Sequence, residues 1–345
     1  MPSFNEMDLP NSFQIKNQFP LTTSDRRFID RARGIMQELV TGRDERLALI
    51  VGPCSIHDVG SALEYGRRLK VLSDEVAESC ICIMRVYVEK ARTTTGWKGL
   101  LYDPVLNGSN DIRMGITLSR KLFLELTKLG IPIATEIVNP LLLPYLEDLI
   151  SWGFIGARTS ASQLHREVAS FVPFVVGFKN SLDGNIEQAV HGVQTASISH
   201  DFPYLDEMGS LKITKSRGNP HTHVVLRGSS LATNYDDDSL LHTFQLMQKY
   251  RLNNRLLIDC SHGNCQKDHI KQNRVFHHVL KQFRGGNSHI LGMMIESHLE
   301  EGNQLFSQAL FRRGVSVTDP CIGWLETEEL IRSASTLCSS FRSMR

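Results

Sequence analysis

The feature that most constrains this chain is a short pattern written eight times. The apolar run Leu47-Ala-Leu-Ile-Val51 stops at Gly52-Pro53, and Cys54, His57 and Asp58 follow at once. Seven further runs have the same form and close on a polar residue: Cys82-Ile-Met-Arg85, Pro132-Ile-Ala-Thr-Glu136, Phe154-Ile-Gly-Ala-Arg158, Phe174-Val-Val-Gly-Phe-Lys179, His223-Val-Val-Leu-Arg227, Leu256-Leu-Ile-Asp-Cys-Ser-His262 and Ile290-Leu-Gly-Met-Met-Ile-Glu296. Continuous apolar runs of this length read as strands buried on both faces, which is what parallel sheets produce. Eight of them, separated by helical patterns, predict an α/β protein built on a (β/α)8 TIM barrel, with chemistry at the carboxyl ends of the strands. Any one polar closure is explained by a strand meeting water. Four basic closures among eight (Arg85, Arg158, Lys179 and Arg227) are not, because converging cations need an anion, and phosphate or carboxylate is the usual one.

Length fits that architecture with additions, since 345 residues exceed the roughly 250 of a plain barrel. Residues 1–22 read as an arm, and residues 25–39 as an amphipathic helix with Phe28, Ile29, Ala32, Ile35, Met36 and Leu39 on one side. Preceding the first strand, this helix is expected to cap the amino-terminal end of the barrel or to join a subunit contact. The expected division is therefore 1–45 for arm and extra helix and 46–345 for the catalytic barrel. Residues 197–222 break the repeat, and Ser210-Leu-Lys-Ile-Thr-Lys215 alternates before the turn Ser216-Arg-Gly-Asn-Pro220. A surface β-hairpin inserted before the sixth barrel strand is expected there. Helices are read at 62–72, 113–129, 142–152, 162–171, 187–196, 240–250, 269–283 and 326–341.

Lys plus Arg is 38 and Asp plus Glu 37, so no global field favours nucleic acid or an anionic membrane. No apolar stretch approaches the roughly 18 residues of a membrane span, and the first residues lack a signal-peptide core, so a cytoplasmic protein is expected. The seven cysteines (54, 80, 82, 260, 265, 321 and 338) form no dense framework, and reduced thiols are the expectation.

Three constellations bear chemistry. Cys54, His262, Glu296 and Asp319 each follow a strand or the last loop. A thiolate, an imidazole and two carboxylates suit a borderline divalent ion (Mn²⁺, Fe²⁺, Co²⁺ or Zn²⁺), although a lone cysteine is commonly just a small buried residue. Such an ion acts as a Lewis acid on a carbonyl when a coordination position stays open. Arg85, Arg158, Lys179 and Arg227 are expected in one mouth, with Glu136 as a carboxylate partner against their mutual repulsion. The loop Lys90-Ala-Arg-Thr-Thr-Thr-Gly-Trp-Lys98 combines cations, hydroxyls and a glycine, which suits phosphate capture. His57, Asp58, His165 and His298 read as structural supports.

Several motifs together resemble one family: Gly52-Pro-Cys-Ser-Ile-His-Asp58, Met84-Arg-Val-Tyr87, Arg92-Thr-Thr, Gly96-Trp-Lys-Gly-Leu100, Ser151-Trp-Gly-Phe-Ile-Gly-Ala-Arg-Thr159, Val176-Gly-Phe-Lys-Asn180, Asp259-Cys-Ser-His-Gly-Asn264, Glu296-Ser-His-Leu, Glu301-Gly-Asn-Gln304 and Thr318-Asp-Pro-Cys-Ile-Gly-Trp324. From about residue 25 onward the chain resembles the class I (microbial) 3-deoxy-D-arabino-heptulosonate 7-phosphate (DAHP) synthases. The resemblance implies condensation of phosphoenolpyruvate with erythrose 4-phosphate, the first step of the shikimate pathway, in a cytoplasmic homodimer or homotetramer. It places metal ligands on Cys54, His262, Glu296 and Asp319. It places phosphoenolpyruvate on Arg85, Arg158 with Ala157 beside it, Lys179 and Arg227, with Glu136 nearby. The aldose phosphate falls on Lys90, Arg92 and Thr93, and Lys90 is the expected proton donor to the developing alkoxide. Where the family usually has Pro, Asn and an Asp-x-Ser-Phe type of stretch, this chain has Ala91, Tyr102 and Asn107-Gly-Ser-Asn110. These departures bear on the acceptor aldose, so another aldose phosphate is an alternative acceptor, and a non-catalytic regulatory paralogue is a second alternative reading. Pro144 and Pro173 stand near positions where feedback-controlled relatives often carry Gln and Ser. Proline offers neither side chain's hydrogen bonds, so weak or absent inhibition by aromatic amino acids is expected.

Overall fold

In a computed structural model, which describes residues 7–306 and 311–342, eight parallel strands close into a barrel. Numbered along the chain, the strands are β1 (Leu47–Gly52), β2 (Cys80–Arg85), β3 (Ile133–Glu136), β4 (Trp152–Ile155), β5 (Val175–Lys179), β6 (Asp201–Leu205), β7 (Leu211–Lys215), β8 (Thr222–Leu226), β9 (Leu256–Asp259) and β10 (Ile290–Glu296). β6 and β7 pair antiparallel as a separate hairpin, and the other eight follow one another around the barrel until β10 closes on β1, Gly52 opposite Glu296. The expected barrel and the insertion before its sixth strand, β8, are both present. The hairpin's own turn lies at residues 206–210, not at 216–220. That later segment instead links β7 to β8, so its glycine and proline serve a connection and not the reversal.

The outer helices α3 (Val59–Glu75), α4 (Ile112–Lys128), α5 (Gln163–Phe171), α6 (Glu187–Ala196), α7 (Asp237–Lys249), α8 (Lys271–Arg284) and α9 (Trp324–Arg342) cover the strands. Before β1 come α1 (Ser12–Gln18) and α2 (Thr23–Thr41). Residues 142–152, expected as a helix, instead make two 3₁₀ turns, Leu143–Tyr145 and Glu147–Leu149. Pro144 lacks the N–H that an α-helix would use beyond its first turn and biases the residue before it away from helical geometry. The arm is not featureless. Its residues 1–6 lie outside the described residues, but α1 begins with a reciprocal capping box between Asn11 and Gln14. It is seated by Phe13 N donating to Glu207 O of the hairpin turn at 3.0 Å, by a Lys16–Glu207 ion pair and by Tyr145 Oη donating to Pro10 O.

α2 matters most for the barrel. It starts on a Thr22–Asp25 capping box and ends at Gly42, whose φ of 78° lies in the left-handed region glycine adopts without strain. Its apolar face is used as expected at the amino-terminal end: Met36, Leu39 and Val40 pack with Ala48, Ile50, Ile83, Trp152, Val175, Leu257 and Leu291 inside the barrel. The barrel is thus plugged at one end by a helix and left polar at the other. Met36 is 1 % exposed. We predict that Met36→Ala lowers unfolding free energy in denaturant titration by about 2–5 kcal/mol. A loss under about 0.5 kcal/mol, the surface value, would show that α2 is not part of the barrel core.

Candidate active site at the C-terminal rim of the barrel

The carboxyl ends of β1, β2, β5, β9 and β10 bring the chemical residues together. Gly52 turns the chain out of β1 at φ 145°, where a Cβ would lie 3.0 Å from the Arg85 carbonyl oxygen, so the backbone passes close to β2 and delivers Cys54 to the mouth. Cys54 Sγ lies 3.4 Å from Asp319 Oδ2, and Lys90 Nζ donates to both, at 2.9 Å to the sulfur and 3.2 Å to the carboxylate. Cys54 Sγ and carboxylate oxygens of Glu296 and Asp319 all lie within 4.8 Å of one another. His262 borders this group, its Nε2 3.6 Å from Glu296 Oε1. The expected four donors therefore gather, three as a tight set and the imidazole beside Glu296.

Burial pushes the Cys54 thiol up to about 12, with Glu296 adding to it against Lys90. The Lys90 ammonium holds the half-exposed Asp319 carboxyl well below the usual range, despite partial burial. For Lys90, burial works against the charge and is outweighed by Cys54, Asp319 and Glu296, which hold its pKa up. An ammonium wedged between a sulfur and a carboxylate marks a place built for positive charge, and this N/O/S donor set fits a borderline divalent ion.

The cations divide. Arg85 and Lys179 are buried and paired, Arg85 Nη2 to Glu296 Oε1 at 2.9 Å and Lys179 Nζ to Asp259 Oδ2 at 2.7 Å. Arg227 is buried at the end of β8, its backbone N–H held by Asn180 Oδ1 at 2.8 Å. Burial lowers the pKa of both Lys179 and Arg227; Asp259 opposes it in each. Arg85 Nη1 is buried with no hydrogen-bond partner among the described residues. An orphaned guanidinium nitrogen at the floor of a cationic mouth is a donor awaiting an acceptor. Arg158, by contrast, is exposed at the rim and donates to Thr93 Oγ1 at 2.7 Å, with Ala157 half-buried behind it. Arg92 is also exposed and donates to Trp97 O, bracing its own loop. The carboxylates in direct ion-pair contact with Arg85 and Lys179 are Glu296 and Asp259, while the expected Glu136 acts on Lys179 as a weaker, longer-range charge. Glu136 fills the space beside Gly156, where a Cβ would meet its Oε1 at 2.0 Å.

Asp259 is the residue of this cluster that the sequence places in a motif without giving it a role. Its Oδ2 also lies 2.8 Å from His262 Nδ1, and its Oδ1 accepts from Ser261 N and Oγ. A carboxylate on Nδ1 fixes the tautomer that leaves Nε2 free to face Glu296. His262 itself sits at φ 58°, a backbone region that non-glycine residues rarely take and that clusters at functional sites. A polar strand terminus three residues before a histidine was the available signal. Of the supports, Asp58 caps α3 through Gly60 N and Ser61 N, and His165 bridges Ser162 Oγ and Val138 O.

The DAHP synthetase I family model matches residues 14–332. The chain belongs to that family. It is 44% identical over 330 residues to the Tyr-sensitive phospho-2-dehydro-3-deoxyheptonate aldolase of Salmonella typhimurium, covering 95% of this chain and 92% of that one. It is 42% identical over 321 residues to the Trp-sensitive enzyme of Escherichia coli K12, with 92% of each covered. A phospho-2-dehydro-3-deoxyheptonate aldolase structure from Francisella tularensis superposes with a TM-score of 0.95 at 38% identity, covering 97% of this chain and 98% of that chain. The protein is accordingly a DAHP synthase of transferase type, with a TIM-barrel fold. No helix among the described residues is long and apolar enough to cross a membrane.

Glu89, beside Lys90, adds a measurable property. Burial pushes its carboxyl up to about 8 from an ordinary 4.5, against a hydrogen bond from Asn139 N. Between those two values the folded protein holds a proton that the unfolded chain has released, so stability falls as pH rises through that window. We predict that the melting temperature of the wild type declines from pH 5 to pH 9 relative to Glu89→Gln. Parallel curves would mean that this acid is not held protonated.

Proposed function

We propose that the chain condenses phosphoenolpyruvate with erythrose 4-phosphate at this rim, the first step of aromatic amino-acid biosynthesis, with a divalent metal ion held by Cys54, His262, Glu296 and Asp319. The single observation that carries the reading is the abutment of the Cys54, Glu296 and Asp319 donor cluster, with the His262 imidazole beside Glu296, on buried cations, one of which, Arg85, has an orphaned nitrogen. Bound there, the ion supplies a Lewis acid that polarises the acceptor aldehyde. Arg85, Lys179 and Arg227 hold the phosphate and carboxylate of phosphoenolpyruvate, and Arg158 closes over it from the rim. Their fixed positions turn the enol carbon toward the aldehyde, an orientation effect of several kcal/mol, about 7–11 in the best-aligned cases. The new carbon–carbon bond forms between the enol CH₂ and the aldehyde carbon. The Lys90 ammonium is placed to give a proton to the resulting alkoxide. Water adds at the phosphate-bearing carbon, and inorganic phosphate leaves, so that phosphoenolpyruvate, aldose phosphate and water balance DAHP and phosphate. Arg92 and Thr93 take the acceptor's phosphate.

Tyr102 gives a specific reason to retain the second reading, another aldose phosphate as acceptor. It replaces the family's usual Asn beneath this loop, where its Oη accepts from Asn139 Nδ2 at 2.9 Å and its ring lies under Lys98 Nζ at 5.7 Å. The cytoplasm as location, the division at residue 45 and a homodimer or homotetramer complete the proposal; α1 and the hairpin offer the surfaces for assembly.

The experiment is phosphate release from phosphoenolpyruvate and a panel of aldose phosphates after stripping and restoring Mn²⁺. Erythrose 4-phosphate is expected to be the best acceptor, and Cys54→Ala or His262→Ala to lose metal-dependent turnover. Lys179→Ala is expected to raise the KM for phosphoenolpyruvate at least tenfold, in line with losing a buried charged hydrogen bond worth about 1.5–3 kcal/mol. No release with any acceptor would reject the condensation proposed here. Inhibition is the second measurement. Pro144 lies in the 3₁₀ turn Leu143–Tyr145 and has no polar side-chain group to bind an effector. Millimolar Phe, Tyr or Trp should leave the rate unchanged; clear inhibition below millimolar concentration would reverse this expectation.

A further inference from the structure

We propose that Asp259 is a positioning residue that couples the cation set to the donor cluster, so that a divalent metal ion and phosphoenolpyruvate bind synergistically. The inference rests on the functional reading above and adds a thermodynamic link between its two halves.

The link is a continuous chain of contacts that runs from buried charges through the half-buried His262 ring. Lys179 Nζ donates to Asp259 Oδ2 at 2.7 Å, and the same oxygen lies 2.8 Å from His262 Nδ1. On the other side of the ring, His262 Nε2 lies 3.6 Å from Glu296 Oε1, which accepts from Arg85 Nη2 at 2.9 Å. One imidazole thus stands between two carboxylates, and each carboxylate is tied to one anion-binding cation. Neither carboxylate has water to relax into: Asp259 is fully buried and Glu296 is 2 % exposed. The other Asp259 oxygen is committed to Ser261, through N at 3.0 Å and Oγ at 2.6 Å.

With no guest, Lys179 and Arg85 spend their charge on these carboxylates. An anion arriving on the two cations takes up part of that charge. Asp259 and Glu296 are then left with excess negative charge in a medium of low polarisability. Asp259 answers by polarising the His262 Nδ1–H more strongly, which makes Nε2 a better donor to a metal ion. Glu296 becomes a better ligand directly. Read from the other end, a dication on His262 and Glu296 draws negative charge away from Arg85 and Lys179 and leaves them freer for the anion. Linkage requires the two effects to be equal in free energy. Direct attraction between ion and anion also contributes, and an Asp259→Asn variant separates the two, because it keeps the shape and removes the charge.

Calorimetric titration tests this without turnover. Phosphoenolpyruvate is titrated into metal-stripped protein and into protein saturated with Mn²⁺, and Mn²⁺ into protein with and without phosphoenolpyruvate, each corrected for Mn²⁺ binding to phosphoenolpyruvate in buffer. We expect each ligand to tighten the other by the same factor, about tenfold or more, within the range of roughly 5–150 typical of coupled sites. Folded Asp259→Asn should still bind each ligand, with the factor reduced to about threefold or less. Should that variant fail to fold, Ser261→Ala, which removes the hydroxyl lying 2.6 Å from Asp259 Oδ1 and 2.7 Å from His262 Nδ1, should lower the factor part-way. Equal phosphoenolpyruvate affinity with and without Mn²⁺, or undiminished coupling in the variants, overturns the inference. The functional reading fails separately, if phosphoenolpyruvate binds neither form.

Discussion

Charges removed from water must be neutralised by one another, and that requirement governs this molecule's polar end. Arg85, Lys179, Arg227, Asp259 and Glu296 are all nearly sealed from solvent. Each isolated charge there would cost several kcal/mol, more than one hydrogen bond returns. Only a scaffold that fixes both partners at once makes the arrangement tolerable. The closed barrel does so, because its register sets Gly52 opposite Glu296 and delivers Cys54 and Asp319, separated by 265 positions, to 3.4 Å. The plug of Met36, Leu39 and Val40 at the opposite end fills the interior with apolar atoms, so charge and water have one rim at which to meet.

That pattern explains why the architecture was legible before any coordinates. A strand buried on both faces must be apolar throughout, and its first polar residue marks where the barrel opens. The ends read from sequence at Arg85, Lys179 and Glu296 are the last residues of β2, β5 and β10. α2 was legible for the same reason, since its apolar stripe is long enough to show the helical period. α1 was not, because seven residues barely span two turns and its stability comes from the hairpin it touches. Residues 142–152 misled because leucines at helical spacing outvoted one proline. There the local cost of Pro144 prevailed over the pattern.

The candidate site was legible in its parts and not in its pairings. Residue types at strand ends name the cations and donors, but not which carboxylate answers which cation. Glu136 is the natural choice from its place between Arg85 and Arg158, yet the direct ion pairs are made by Glu296 and Asp259, each on the next strand but one along the wall from its cation. Sequence order around a barrel records neighbours along the wall; contacts through the mouth depend on side-chain length and direction, which order does not encode. Arg158 shows the converse, for a strand-end position alone did not carry it inside, and it instead braces Thr93.

His262 ties these observations together. A left-handed backbone at a non-glycine residue costs of order 1–3 kcal/mol and persists only when its surroundings over-determine it. Here Lys267 N bonds its carbonyl, Asp259 and Ser261 hold one ring nitrogen, and the other faces Glu296. A simpler turn after β9 would avoid the strain, but it would also uncouple the ring from the carboxylate that Lys179 needs. The backbone is held in an unfavoured shape at a position whose side chain lies between the carboxylate partners of two buried cations, Lys179 and Arg85. The strain is therefore better understood as the cost of joining two sites than of building either.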